Sequence, residues 1–138
     1  MSEEKQQYSF EEVLNKLKSY CAYQERSNLE VQNRANELGA LKEHIERLIS
    51  ALEKENYLNE ERFTKVYARS KFNSNHWGRF KIIEGLRGKG ISNQQINEAL
   101  KEISAKEIQA KLNYLISKRV RSNDTREKRV RYLLSKGY

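Results

Sequence analysis

The chain of 138 residues carries 27 Lys/Arg against 19 Asp/Glu, a formal charge of +8, with no proline, six glycines and 33% charged residues. Such a composition suits helices with solvated outer faces and favours acidic polymers or surfaces as partners. The single Cys21 excludes an internal disulfide, no run of 18 apolar residues is present to cross a bilayer, and MSEEKQQYSF lacks the apolar segment of a targeting peptide, so a soluble cytoplasmic protein with no membrane partner is expected.

In chain order, the apolar periodicity predicts helices near 9–24, 27–38 and 41–56, the last with Leu41, Ile45, Leu48, Ile49 and Leu52 as its inward stripe. Helices near 59–72, 77–88 and 92–103 follow, with Asn59 as an N-cap and Phe63, Val66 and Tyr67 facing inward. A further helix opens at Ser104 with Ile108, Leu112, Leu115 and Ile116 as its stripe, and another spans 124–136. Five capping boxes mark helix starts: Ser9/Glu12, Ser27/Glu30, Ser92/Gln95, Ser104/Glu107 and Asp124/Glu127. Cys21 falls on an apolar helix face, where a small buried hydrophobe is the expected role.

Aligning Gly39, Gly90 and Gly137 reveals a three-fold repeat. After the glycine, Ile45, Ile49 and Leu52 fall against Ile96, Leu100 and Ile103; before it, Ala35, Leu86 and Leu133 share the offset of minus 4. Spacings of 51 and 47 residues suit stacked helical units that cannot bury their apolar faces alone. The expected units are 1–57, 58–103 and 104–138, with net charges of −3, +4 and +7, so that charge rises toward the C-terminus. Gly137 occupies the position where the earlier copies enter their third helix, so the third unit is expected to lack that helix through truncation, leaving Leu133 and Leu134 partly uncovered. Gly90 is expected to end its helix in the left-handed conformation.

The middle copy carries YLNEERF, ARS, the WG pair and LRGKGI between Tyr57 and Leu100. In these residues the chain closely resembles the RecX family of bacterial regulators of the RecA recombinase. The resemblance implies an all-α, elongated, curved array of tandem three-helix repeats that binds the RecA–DNA filament along its helical groove. It also implies inhibition of strand exchange, ATPase and co-protease activity, and so modulation of recombination and DNA repair. The acidic first unit departs from this picture as a nucleic-acid surface, and the shortened third unit puts at risk contacts made through the extreme C-terminus.

The motif residues also have structural jobs. Trp77, Phe80, Phe63 and Tyr67 are read as core packing rather than a base-stacking platform. Gly78 and Gly85 allow close helix approach, and Glu61 and Arg62 pair with neighbours or cap a helix. The adjacent Glu60 and Glu61 diverge on a helix start and make a poor acid/base pair. His44 and His76 lack metal-ligand spacing and are read as surface or capping residues. GLRGKG ends a helix, whereas a phosphate loop opens one. No enzyme, cofactor or metal is expected.

Nucleic-acid contact is expected from the basic residues Lys118, Arg119, Arg121, Arg126, Lys128, Arg129 and Arg131, joined by Lys71, Arg79, Lys81, Arg87 and Lys89 of the second unit. With no aromatics interleaved in the 118–131 cluster, weak, sequence-independent phosphate contact is expected rather than base reading. The expected agent is thus a monomeric interaction protein whose partners are the RecA filament and DNA phosphates. The alternative is a free-standing, sequence-independent DNA-binding helical protein. Its third helix would need several basic base-reading side chains, and SNQQINEALKEI offers one Lys and two Glu.

Overall fold

The three glycines aligned from the sequence end three helices in one geometry. Gly39, Gly90 and Gly137 have φ of 79°, 78° and 94°, the left-handed region that favours glycine. In each copy the residue after the glycine donates its N–H to the carbonyl five residues before its own position: Ala40 to Ala35 at 3.0 Å, Ile91 to Leu86 at 3.1 Å and Tyr138 to Leu133 at 3.0 Å. The glycine N–H bonds the carbonyl three residues back, Asn36, Arg87 or Leu134, each at 3.0 Å, completing a Schellman motif. Ala35, Leu86 and Leu133, aligned by sequence offset, are the acceptors of this motif.

The computed structural model describes residues 8–138; of the MSEEKQQYSF stretch only Tyr8 onward is included. These residues form eight α-helices and no strand: α1 Phe10–Tyr23, α2 Asn28–Glu37, α3 Ile45–Lys54, α4 Glu60–Asn75, α5 Arg79–Gly88, α6 Asn93–Lys101, α7 Ala105–Arg121 and α8 Arg126–Ser135. The protein is all-α. No described helix is long and apolar enough to cross a membrane.

Two compact units are present, one up to Phe63 and the other Thr64–Tyr138, the division falling inside α4. In the first, α1, α2 and α3 pack pairwise. Val13, Leu14, Leu17, Cys21, Val31, Ala35, Leu48, Leu52 and Leu58 form its core. Burial pushes the Cys21 thiol up to about 11. Arg62 anchors the start of α4 here: its Nε lies 2.6 Å from Glu25 Oε2 and its Nη1 donates to Asn56 Oδ1 at 3.0 Å. Glu60 accepts from the Asn28 N–H at 2.9 Å, and Asn59 Oδ1 caps α4 by accepting from the Arg62 N–H at 2.9 Å.

Capping boxes are complete at Ser9/Glu12, Ser27/Glu30 and Ser104/Glu107, and Ser92 accepts from the Gln95 N–H. The Asp124/Glu127 box is corrected. Thr125 is the N-cap of α8, accepting from the Lys128 N–H at 3.3 Å, because Asp124 is taken by Arg119 at 3.0 Å.

The inward stripes also need correction. Leu41 is 52% exposed because Lys42–His44 form a 3-10 turn before α3 begins. The buried pair of α3 is Leu48 and Leu52, and Leu48 shares its register offset with the buried Ala99 of α6. Val66 and Ile116 are exposed. Phe80, expected in the core, is 69% exposed: the buried positions of α5 are Ile82 and Leu86. Leu134 is exposed and Leu133 half-buried.

Candidate nucleic-acid interface

The second unit gathers cations around the corner between α4 and α5. Helix α4 ends at Asn75, and His76 reverses the chain with φ of 58°. The next residue, Trp77, donates its N–H back to the Lys71 carbonyl at 3.0 Å. This half-buried indole sits edge-on to Tyr67, ring centroids 6.4 Å apart, with Lys71 Nζ and Lys81 Nζ 4.9 and 5.0 Å from its centre.

Helix α5 starts without a side-chain cap. Its first N–H groups are satisfied from α8: Gly78 donates to the Lys136 carbonyl at 2.6 Å, and Phe80 to the Gly137 carbonyl at 3.0 Å. Lys81 Nζ reaches the Ser135 carbonyl at 3.3 Å. A Cβ on Gly78 would lie 2.6 Å from Gly137 O, so close backbone approach requires glycine there, whereas one on Gly85 would meet the tip of the Tyr67 side chain. Burial pushes the Tyr138 phenol, which follows this junction, up to about 12.

The expected binding residues divide by environment. Arg119 is committed internally, its guanidinium 3.6 Å from the Tyr132 ring centre as well as bonded to Asp124. Arg129 donates to the Asp124 carbonyl at 2.6 Å, so these two arginines fasten the α7–α8 turn. Arg87 donates to Asn93 Oδ1 at 3.2 Å and, with the half-buried Lys89, lies toward the other end of α5, ~12 Å along the helix from Arg79. Lys118 stands 5.4 Å from the Tyr114 ring centre. Arg79, Arg121, Arg126, Lys128 and Arg131 are exposed and make no ion pair among the described residues. Their charges face solvent.

The structure adds two lysines that sequence reasoning did not single out. Lys111 and Lys136 donate to the Asn73 and Asn75 carbonyls at the end of α4, at 3.4 and 3.5 Å. They lie 38 and 61 positions away from these partners, so no local pattern could have joined them. Burial, and then Lys111, Lys118 and Lys136, hold the His76 imidazole below its ordinary pKa.

A model of the second three-helix domain of RecX matches residues 59–100, which hold α4, α5 and all but the last residue of α6. The regulatory protein RecX of Oceanobacillus iheyensis is 30% identical over 125 residues, covering 86% of this chain and 46% of that protein. That of Lactococcus lactis subsp. cremoris is 33% identical over 104 residues, covering 70% and 39%. The chain thus spans under half the length of these relatives. The crystal structure of RecX from Lactobacillus salivarius has the same fold, with a TM-score of 0.82 at 24% identity over 94% of this chain and 88% of that one. With the WG glycine wedged against Gly137 and the LRGKG glycine ending α5, the chain belongs to the RecX family.

Proposed function

We propose that this protein acts in the cytoplasm as a regulator that binds the RecA–DNA filament along its helical groove and inhibits strand exchange, ATPase and co-protease activity. Family membership supports this reading, and one observation carries it: the second unit, which holds most of the family-specific domain, presents exposed cations that lack counter-charges. Arg79, Arg121, Arg126, Lys128 and Arg131 are exposed and unpaired among the described residues. Uncompensated like charges repel one another, so an acidic partner stabilises them. DNA phosphates in the filament are such a partner, and contact with them is independent of sequence.

A helix-turn-helix reading of duplex DNA is not supported by α6. Its sequence NQQINEALK holds Lys101 as its one basic residue and buries Ile96, Ala99 and Leu100. The test is RecA-catalysed ATP hydrolysis on single-stranded DNA with and without this chain. Substoichiometric protein is expected to lower the rate, and an unchanged rate at equimolar folded protein contradicts the proposal.

A further inference from the structure

His76 turns the chain out of α4 in the left-handed region, with φ of 58°. Among the described residues, the other two non-glycine residues in the left-handed region are both asparagine, Asn56 and Asn123, at φ of 63° and 59°. Asparagine and histidine are both enriched in this region, so the backbone alone does not choose between them. What sets the imidazole apart is the company of its ring nitrogen.

Its Nδ1 lies 2.9 Å from Lys111 Nζ. An ammonium has donors only, so Nδ1 is the acceptor and the neutral ring carries its proton on Nε2. Lys136, beyond α8, lies 3.5 Å from the carbonyl of Asn75, which precedes His76, and Lys118 of α7 stands 5.4 Å from the centre of the Tyr114 ring, itself 5.9 Å from the imidazole. Lys71 on α4 and Lys81 on α5 flank the adjacent Trp77. None of these five lysines forms an ion pair among the described residues. The end of α4 offers only about half an elementary negative charge, far less than these ammonium groups carry.

We propose that His76, Lys111, Lys118 and Lys136 form a seat for one backbone phosphate of a nucleic acid, and that filling it is coupled to uptake of a proton by His76. This rests on the reading of the basic surface given above and assigns one phosphate position within it. An anion between Lys111 and the imidazole accepts from both, and protonation turns Nδ1 from acceptor to donor. Tyr114 is 49% exposed with Lys118 over its ring. An aromatic face beside cations suits a polynucleotide, whose bases stack, better than a carboxylate-bearing peptide.

The direction of the linkage follows. Free His76 has a depressed pKa and the bound anion raises it, so binding is tightest below the free value, weakens between the two values and levels off above the bound value. The sequence has only two histidines, and His44 lies in the first unit, so His76 is the side chain of the second unit expected to titrate between roughly pH 5 and 8.

The test uses the full chain. The His76 ring protons are followed by NMR with and without a thymidylate oligonucleotide of about 15 nucleotides, and affinity is measured across roughly pH 5 to 8 at fixed ionic strength. The expected result is a His76 pKa raised by about one unit and a matching affinity change of about tenfold. His76→Asn, which keeps the left-handed turn, should stay folded and lose the pH dependence. An unmoved His76 pKa in the bound state, or a wild-type pH profile in the variant, overturns the proposal. Polyglutamate that raises the His76 pKa as much as the oligonucleotide overturns the phosphate assignment. RecA ATPase inhibition with a flat pH profile for DNA binding defeats this inference alone, whereas intact proton linkage without ATPase inhibition defeats the filament reading alone.

Discussion

Gly78 and Gly137 meet backbone to backbone, so that a Cβ on either would lie within 2.7 Å of main-chain atoms of the facing segment. Neither contact is with a flexible side-chain tip, so relief requires the helix start and the α8 turn to separate. Gly78→Ala is expected to destabilise the second unit by about 1–3 kcal/mol, the ordinary cost of overpacking. Gly39→Ala provides the comparison: nothing lies within 4 Å of its added Cβ, leaving only the left-handed backbone penalty of about 1–2 kcal/mol. Urea melts of the two variants check this; a Gly78→Ala protein as stable as its parent contradicts the contact.

The basic residues should separate into two classes. Replacing Arg79, Arg121, Arg126 and Arg131 with Gln is expected to leave the melting curve nearly unchanged, since exposed unpaired charges contribute little to folding. DNA binding should weaken, and its log–log salt slope should become shallower by about 0.9 for each duplex phosphate contact removed. Arg119→Gln should instead loosen the α7–α8 turn by removing the bond to Asp124 and the stack on Tyr132. Hydrogen exchange at the Asp124 amide, which bonds the Arg119 carbonyl at 3.1 Å, reads that loosening directly.

Two neighbours on α5 are expected to behave oppositely. Ile82 is 1% exposed, so Ile82→Ala should cost about 2–5 kcal/mol. Phe80→Ala should cost well under ~1 kcal/mol, because a ring already in water loses little burial. Any loss of filament inhibition in Phe80→Ala therefore reports partner contact. Equal destabilisation of the two variants in a thermal melt contradicts this assignment.

Cys21 should be an inert thiol. Burial lifts its pKa to about 11, so at pH 8 iodoacetamide should alkylate it slowly in the folded protein and rapidly in denaturant. The sign for stability follows: below the unfolded thiol pKa both states are protonated and nothing is lost. As pH rises through it the unfolded chain ionises first, so stability falls between roughly pH 9 and 11. Cys21→Ser should remove that component of the alkaline decline.

Sequence made the helix framework legible because its signals are local. Ser9, Ser27 and Ser104 each sit three residues before the glutamate that completes the box, and the glycine offsets marked carbonyl acceptors as well as apolar positions. What escaped depended on the third dimension. Phe80 and Ile82 are both apolar on one helix, and only the tertiary packing decides which is covered. Asp124 and Thr125 can both cap a helix, and Arg119 decides between them by occupying the carboxylate. Lys111 joins the α4 corner from 35 positions beyond His76, so the cation cluster was visible only in part.

The start of α5 has a kinetic meaning as well. Two of its N–H groups find their acceptors 57 and 58 positions downstream, at Gly137 and Lys136. Closing so long a loop carries an entropic cost before the bonds form, which places this junction late in folding. A growing polypeptide holding α4 and α5 but not yet the last turn of α8 must leave those groups to water. The start of α5 thus gains its protein acceptors only once that segment has been made.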